Sequence, residues 1–184
     1  MKVFLTDLSD IGDDLIHRYE LLLSPSEKAR YTQISNPKRR LQFLTGRALI
    51  YENCGESPTL SETGKPLVSK GYISLAHSGP YVVLIVSDTP VGIDIEDSSR
   101  QRPFKEISDR LHFPLTDQTD FYKHFTQYES DYKLGGGGSQ IHHYFYSINT
   151  FIICISSLKN KENIEFIKSI PFVQNKPFSP RILP

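Results

Sequence analysis

The sequence contains few cysteines and no excess of either charge. Its 184 residues include only Cys54 and Cys154, which excludes a disulfide framework, and no group of cysteines and histidines has zinc-ligand spacing. Lysine plus arginine and aspartate plus glutamate each number 21, and the resulting zero net charge argues against a general nucleic-acid-binding protein. Free cysteines are typical of a reducing compartment. We therefore expect a cytoplasmic protein that does not bind nucleic acid.

Long apolar runs are also missing. The longest, residues 81–86 and 151–155, are far too short to cross a bilayer. The first ten residues contain Asp7 and Asp10 and have no apolar stretch typical of a signal peptide. Because apolar residues make up 38% and charged residues 23%, we expect a soluble globular protein with no membrane association, and we exclude a mostly disordered chain.

Periodicity and capping signals predict a mixture of helices and strands. Ser24 and Glu27 form a capping box around Pro25, and the pair Asn36-Pro37 repeats the signal for a helix start. The predicted helices cover residues 25–34, 38–51 and 119–134, and the predicted strands cover residues 3–6, 72–76, 81–87 and 91–96. Residues 77–80 are predicted as a turn, and residues 144–156 as one long strand or a hairpin.

Three further segments carry organisational predictions. In the helix over 119–134, the buried face is predicted to be the stripe Phe121, Phe125, Tyr128 and Tyr132. The glycine run at 135–139 ends this helix, and it is typical both of an engineered linker and of a natural flexible loop. The segment from 159 onward contains several prolines and is predicted to lie extended on the surface, with an edge strand.

Two acidic side chains in one predicted strand give the first chemical signal. Asp94 and Glu96 are separated by one residue, so both point to the same face, about 6–7 Å apart. Neighbouring carboxylates repel each other unless a cation lies between them, and Mg²⁺ favours one or two carboxylates together with phosphate oxygens. A strand with one solvated face produces the same pattern, and this alternative stays open.

Other charged residues are candidates for the same site. Glu129 is a candidate third metal ligand, although with Lys133 at i+4 it also fits a solvated helix face. His77 is a candidate donor to phosphate, or a polar turn residue. The remaining candidates for phosphate binding, which also fit an ordinary helix surface or loop, are Arg30, Arg40, Arg47 and the tripeptide Gly64-Lys65-Pro66, which lacks the rest of a Walker motif.

Taken in order, these motifs resemble those of the 4′-phosphopantetheinyl transferases, in particular the surfactin-type branch. The strand Val91-Gly92-Ile93-Asp94-Ile95-Glu96 matches the family's second motif almost letter for letter. The other matching segments are residues 24–30, 43–47, 64–66, 73–78 and 125–133. The resemblance covers residues 1–140, and the whole set in this order is highly specific.

The resemblance implies an α+β fold, namely a pseudodimer of two similar α/β halves, residues 1–100 and 101–184, with coenzyme A in the cleft between them. The implied enzyme is a monomeric transferase that moves the 4′-phosphopantetheine arm of coenzyme A to a serine of an apo acyl or peptidyl carrier protein. Such carriers serve fatty-acid, polyketide or peptide synthesis. The implied cofactor is Mg²⁺, and the implied partners are coenzyme A and the carrier protein.

The resemblance also assigns roles to single residues. The implied metal ligands are Asp94, Glu96 and Glu129. The implied catalytic residues are Asp94, Lys133 and Glu129, with Glu129 as the base. The implied coenzyme-binding residues are Arg30, Arg47, Lys65, Pro66, His77 and Lys133.

Two positions depart from the family pattern. Tyr128 stands where the third motif has a lysine, and Ala76 stands where a serine precedes the histidine. These departures support an alternative, a degenerate relative that binds coenzyme A or a carrier protein without transfer. A small RNA-binding α+β module is a third interpretation, but no RNP-like stretch of aromatic and basic residues is present.

Overall fold

The computed structural model describes residues 1–62, 64–114, 117–135, 140–160 and 163–183. The helices are α1 (Asp13–Glu20), α2 (Pro25–Gln33), α3 (Pro37–Cys54), α4 (Phe104–Leu111) and α5 (Gln118–Leu134). The strands are β1 (Lys2–Asp7), β2 (Thr59–Leu60), β3 (Pro66–Leu67), β4 (Tyr72–Ser78), β5 (Tyr81–Ser87), β6 (Val91–Asp97), β7 (His142–Ile148), β8 (Phe151–Ser157), β9 (Glu165–Ile170), β10 (Gln174–Phe178) and β11 (Arg181–Ile182). The predicted α+β class is confirmed. None of the described helices combines the length and the apolar character that a membrane span requires.

The two predicted helix starts are present with their caps. At α2 the capping box is complete, because the Ser24 backbone N–H donates to Glu27 Oε2 at 3.0 Å and the Glu27 N–H donates to Ser24 Oγ at 3.4 Å. At α3 the Asn36 side chain accepts from the Arg39 N–H at 3.0 Å. These caps fix where the two helices that later line the candidate site begin.

Two larger sheets share one apolar core. The first has the strand order β10-β9-β1-β5-β4, the second β11-β7-β8-β6, and β2 pairs with β3 in a separate hairpin. One core cluster contains Val83 and Ile85 of the first sheet together with Ile93 and Ile153 of the second. Helix α3 packs against the first sheet and α5 against the second, so the order of layers places β4 and β6 near the middle of the molecule.

The segment after 159 enters the first sheet. β9 runs parallel to β1 and lies between β1 and β10, and its Phe166 and Ile167 are buried. The prediction of an extended surface segment is therefore wrong for β9, because its adjacent residues Phe166 and Ile167 point to opposite faces of the strand and enter two different core clusters. The sheets also do not coincide with the predicted halves, since β6 belongs with β7 and β8, and β9 belongs with β1.

The buried face of α5 differs from the predicted stripe. Tyr128 is 46% exposed and Tyr132 is 70% exposed, whereas Thr126 and Ser130 are fully buried. The reason is close packing on β6, because a Cβ atom at Gly92 would overlap the Ser130 carbonyl oxygen. Only small side chains fit on the helix face that approaches a strand so closely, which excludes the tyrosines from it.

The remaining turns are partly as predicted. Residues 142–157 form a hairpin rather than one strand, and Asn149 in its turn has a positive φ of 52°. β4 continues through His77 to Ser78, so the predicted turn at 77–80 is shorter than expected. α5 ends at Leu134 with Gly135 in the left-handed conformation, and residues 136–139 of the glycine run lie outside the described residues.

Candidate functional site

A polar cleft of about 990 Å³ lies where α2, α3, β4, β6 and α5 meet. Both carboxylates of the predicted strand pair, Asp94 and Glu96, line it. The basic residues that line it are Arg30, Lys38, Arg39, Arg47, Arg100, Arg102 and Lys133. A cleft of this size that combines acids with many cations suits a large, negatively charged ligand better than a small neutral one.

Asp94 is buried and held by one lysine. Its side chain lies on β6 and is only 7% exposed as a residue, and the Lys133 ammonium donates to Oδ1 at 2.6 Å. Lys133 also donates to the Ile93 carbonyl at 3.2 Å. Burial raises the pKa of Asp94 to about 6 against the opposing effect of Lys133, and the charges of Glu96 and Glu129 raise it further. Oδ2 of Asp94 is buried and has no hydrogen-bond partner among the described residues.

Glu96 has a similar arrangement with a different cation. Its Oε2 accepts from Arg102 Nη2 at 3.0 Å and from Ser78 Oγ at 3.4 Å. Burial raises the pKa of Glu96, and Arg102 opposes this effect. Each acid of the pair thus has one oxygen bound to a cation, and the buried second oxygen of Asp94 has no hydrogen-bond partner among the described residues.

The carboxylates of Asp94 and Glu96 fit the needs of a hard divalent cation. A buried carboxylate oxygen without a partner is costly in a folded protein, and binding of a metal ion removes that cost. Mg²⁺ is usually bound by one or two carboxylates together with phosphate oxygens and water. Asp94 and Glu96 therefore supply a donor set of the right type.

Glu129 does not join this pair in the structure. It lies half-buried on α5, one turn before Lys133, and it is not among the residues that line the cleft. Among the described residues, no three acidic, histidine or cysteine side chains approach closely enough to hold a metal ion. The structure thus brings together two of the three predicted ligands, and the third is near enough only to raise the pKa of Asp94.

Most of the predicted coenzyme-binding residues line the same cleft. These are Arg30, Arg47, Pro66, His77 and Lys133. Lys65 lies instead at a smaller pocket of about 380 Å³, and its ammonium donates to the Lys133 carbonyl at 2.5 Å. Burial lowers the pKa of Lys65. In this structure Lys65 therefore anchors the end of α5 from the β2–β3 hairpin.

The three candidate arginines have different environments. Arg47 is buried and its Nε lies 2.8 Å from Glu27 Oε1, so its charge is already neutralised. Its guanidinium lies over the Phe43 ring at 4.8 Å. Arg40 donates twice to the Ile34 carbonyl, at 3.0 and 2.8 Å, and does not line the cleft. Arg30 also lies over the Phe43 ring, at 5.8 Å, and it lines the cleft, which leaves it the best phosphate candidate of the three.

His77 lies on β4 and lines the cleft. Partial desolvation of the ring in the cleft lowers its pKa, and the nearby charges of Arg39 and Lys133 lower it further. The imidazole is therefore neutral at pH 7 and offers one N–H donor to a ligand oxygen.

Sequence reasoning missed several residues of the cleft. Lys38 and Arg39 lie in the first turn of α3, where a positive helix terminus adds to their charge. The predicted start of α3 could have indicated that Lys38 and Arg39 bind an anion. Arg100 and Arg102 lie in the loop after β6, and no spacing rule connects a loop residue with a strand acid.

The two residues that depart from the motif pattern lie at different places relative to the cleft. Tyr128 is 46% exposed and packs against Phe113 with ring centres 6.0 Å apart, outside the cleft. Ala76 lines the cleft, where its methyl group offers no hydrogen bond.

No model of a known protein family matches the chain, and no curated protein matches it either.

Proposed function

We propose that this chain is a Mg²⁺-dependent 4′-phosphopantetheinyl transferase, which transfers the phosphopantetheine arm of coenzyme A to a serine of an apo acyl or peptidyl carrier protein. The observation that carries this proposal is the carboxylate pair Asp94 and Glu96 in a cleft rich in basic side chains, in which the buried Oδ2 of Asp94 has no hydrogen-bond partner among the described residues. The motif order supports the same activity. A cytoplasmic monomer with the two-half fold is part of this proposal.

Different residues of the chain bind different phosphate groups of the coenzyme. Arg30 and the α3 start with Lys38 and Arg39 bind phosphate groups of the coenzyme. His77 donates one hydrogen bond to a diphosphate oxygen. Lys133, on a flexible side chain, moves from Asp94 Oδ1 to the same diphosphate.

The transfer itself breaks one P–O bond and forms another. The carrier serine oxygen attacks the phosphorus next to the pantetheine, adenosine 3′,5′-bisphosphate leaves, and the serine proton passes through water to Glu129. Mg²⁺ held by Asp94 and Glu96 would neutralise the charge of the diphosphate. Arg30, Lys38 and Arg39 hold the leaving bisphosphate in place.

The test is the mass of a carrier protein. The purified chain is mixed with coenzyme A, Mg²⁺ and an apo carrier, and we expect the carrier to gain the mass of one phosphopantetheine. Asp94→Asn should lower the rate by about 100-fold or more, the effect typical of losing one group that stabilises transition-state charge. The matched control is Asp109→Asn, which changes an exposed acid on α4 and should transfer at the wild-type rate.

A non-catalytic binding protein is the second candidate. The position of Glu129 outside the cleft and the exposed Tyr128 favour it. Calorimetry that shows coenzyme A binding, with no mass gain on fatty-acid, polyketide or peptide-synthetase carriers, would support this candidate and refute the transferase.

A further inference from the structure

Each acid of the carboxylate pair already has a cation of its own. Lys133 neutralises Asp94 at 2.6 Å, and Arg102 neutralises Glu96 at 3.0 Å. The four side chains together have no net charge. A free divalent cation that approaches them meets two positive groups as well as two negative ones, so it gains little electrostatic free energy.

The two cations differ in how firmly they are held. The Arg102 guanidinium lies over the rings of Phe125 and Tyr122, with its centre 5.5 and 5.9 Å from them. Its loop is fixed as well, because the Tyr122 hydroxyl donates to the Arg100 carbonyl at 2.5 Å and the Gln118 amide donates to the Ser98 carbonyl at 2.8 Å. Arg102 is thus anchored beside Glu96, whereas Lys133 has a flexible stem.

A diphosphate changes this balance. Its negative oxygens attract Lys133 away from Asp94, and they bring negative charge close to Arg102. The cation carried by the diphosphate then meets Asp94 Oδ2, which has no other partner among the described residues. The ligand that this site binds favourably is therefore the complex of the divalent cation with the diphosphate.

We propose that Arg102 and Lys133 keep the pair Asp94 and Glu96 electrically neutral, so that this pair binds a divalent cation together with a diphosphate and not the free cation. The proposal rests on the proposed function only in taking Asp94 and Glu96 as the metal-binding residues. In this proposal Arg102 is a positioning residue, because Arg102 acts through Glu96.

The experiment is equilibrium dialysis of the whole chain against Mn²⁺, with and without inorganic pyrophosphate. We expect little protein-bound Mn²⁺ with the wild type alone, and about one ion per chain when pyrophosphate is present. Arg102→Met keeps the contact with the aromatic rings and removes the charge. It should bind Mn²⁺ alone about tenfold more tightly, the change expected when one positive charge leaves the vicinity of a divalent ion even at a water-like dielectric constant.

Arg110→Met is the matched control, because it removes the same charge from an exposed position on α4 and should bind Mn²⁺ like the wild type. Two results overturn the proposal: a wild type that holds Mn²⁺ equally well with and without pyrophosphate, or an Arg102→Met variant that binds Mn²⁺ no better than the wild type. If that variant does not fold, the wild-type comparison alone decides.

The carrier-mass test separates this proposal from the proposed function. A chain that shows the expected dialysis pattern but transfers nothing refutes the transferase and keeps the inference. A chain that modifies a carrier but binds free Mn²⁺ tightly refutes the inference and keeps the transferase.

Discussion

Gly92→Ala is expected to be one of the most destabilising single-methyl changes in the chain. A Cβ atom there would overlap the Ser130 carbonyl oxygen and lie 2.8 Å from the Leu134 backbone nitrogen. Both are backbone atoms of α5, so no side-chain rotation relieves the overlap and the helix must move away from β6. Overpacking of a core typically costs about 1–3 kcal/mol. Because the overlap here is with a helix backbone, we expect a loss of about 3 kcal/mol or more.

Two other glycines provide a graded control. Gly12→Ala introduces a methyl group with no atom within 4 Å, and Gly46→Ala places one 2.8 Å from the flexible end of Leu75. Replacing glycine by alanine also reduces the entropy of the unfolded chain by an amount equivalent to about 0.4–1 kcal/mol. We therefore expect the free energy of unfolding to change by less than about 1 kcal/mol for Gly12→Ala, and the Gly46→Ala effect to lie between this and that of Gly92→Ala.

Urea denaturation followed by circular dichroism measures all three variants. The displacement of α5 also carries Lys133 away from Asp94, so Gly92→Ala should weaken the ion pair that now measures 2.6 Å. A Gly92→Ala variant that unfolds at the same urea concentration as Gly12→Ala would refute the close packing of α5 on β6.

Two further predictions concern Asp94 and β9. Because burial raises the pKa of Asp94 to about 6, the folded chain between pH 4 and 6 keeps a proton on Asp94 that the unfolded chain has already released. The free energy of unfolding should therefore fall as the pH rises from about 4 to 6. Asp94→Asn should reduce that fall, as measured by urea titrations at the two pH values. An unchanged fall in Asp94→Asn would contradict it. Phe166→Ala should lower the free energy of unfolding by about 3–5 kcal/mol, because the ring is buried and its centre lies 4.6 Å from that of Tyr146. In the same assay, Val173→Ala at an exposed position should change the free energy of unfolding by no more than about 0.5 kcal/mol. Equal stability of these two variants would contradict the interior position of β9.

Local signals were sufficient for much of the fold. The capping residues Ser24 and Asn36 place the starts of α2 and α3 at the predicted positions, because a cap depends on a few adjacent residues. The alternation in β6 is equally local, and it places Asp94 and Glu96 on the cleft.

Features that depend on distant residues were not predictable in the same way. The buried face of α5 is decided by Gly92 on another element, which admits Ser130 and excludes Tyr132. β9 pairs with β1 although most of the chain separates the two strands in sequence, so no local turn connects them. Arg102 meets Glu96 only because the loop after β6 folds back over α5. Such contacts require knowledge of the topology before any residue can be placed.

The parallel pairing of Lys2 with Glu165 also has a consequence for biosynthesis. On the ribosome, β1 is translated more than 160 residues before its neighbour β9. Until then one side of β1 offers free backbone N–H and C=O groups to any extended chain nearby. The nascent protein should therefore depend on chaperones during translation, and completion of the first sheet should be a late step of folding.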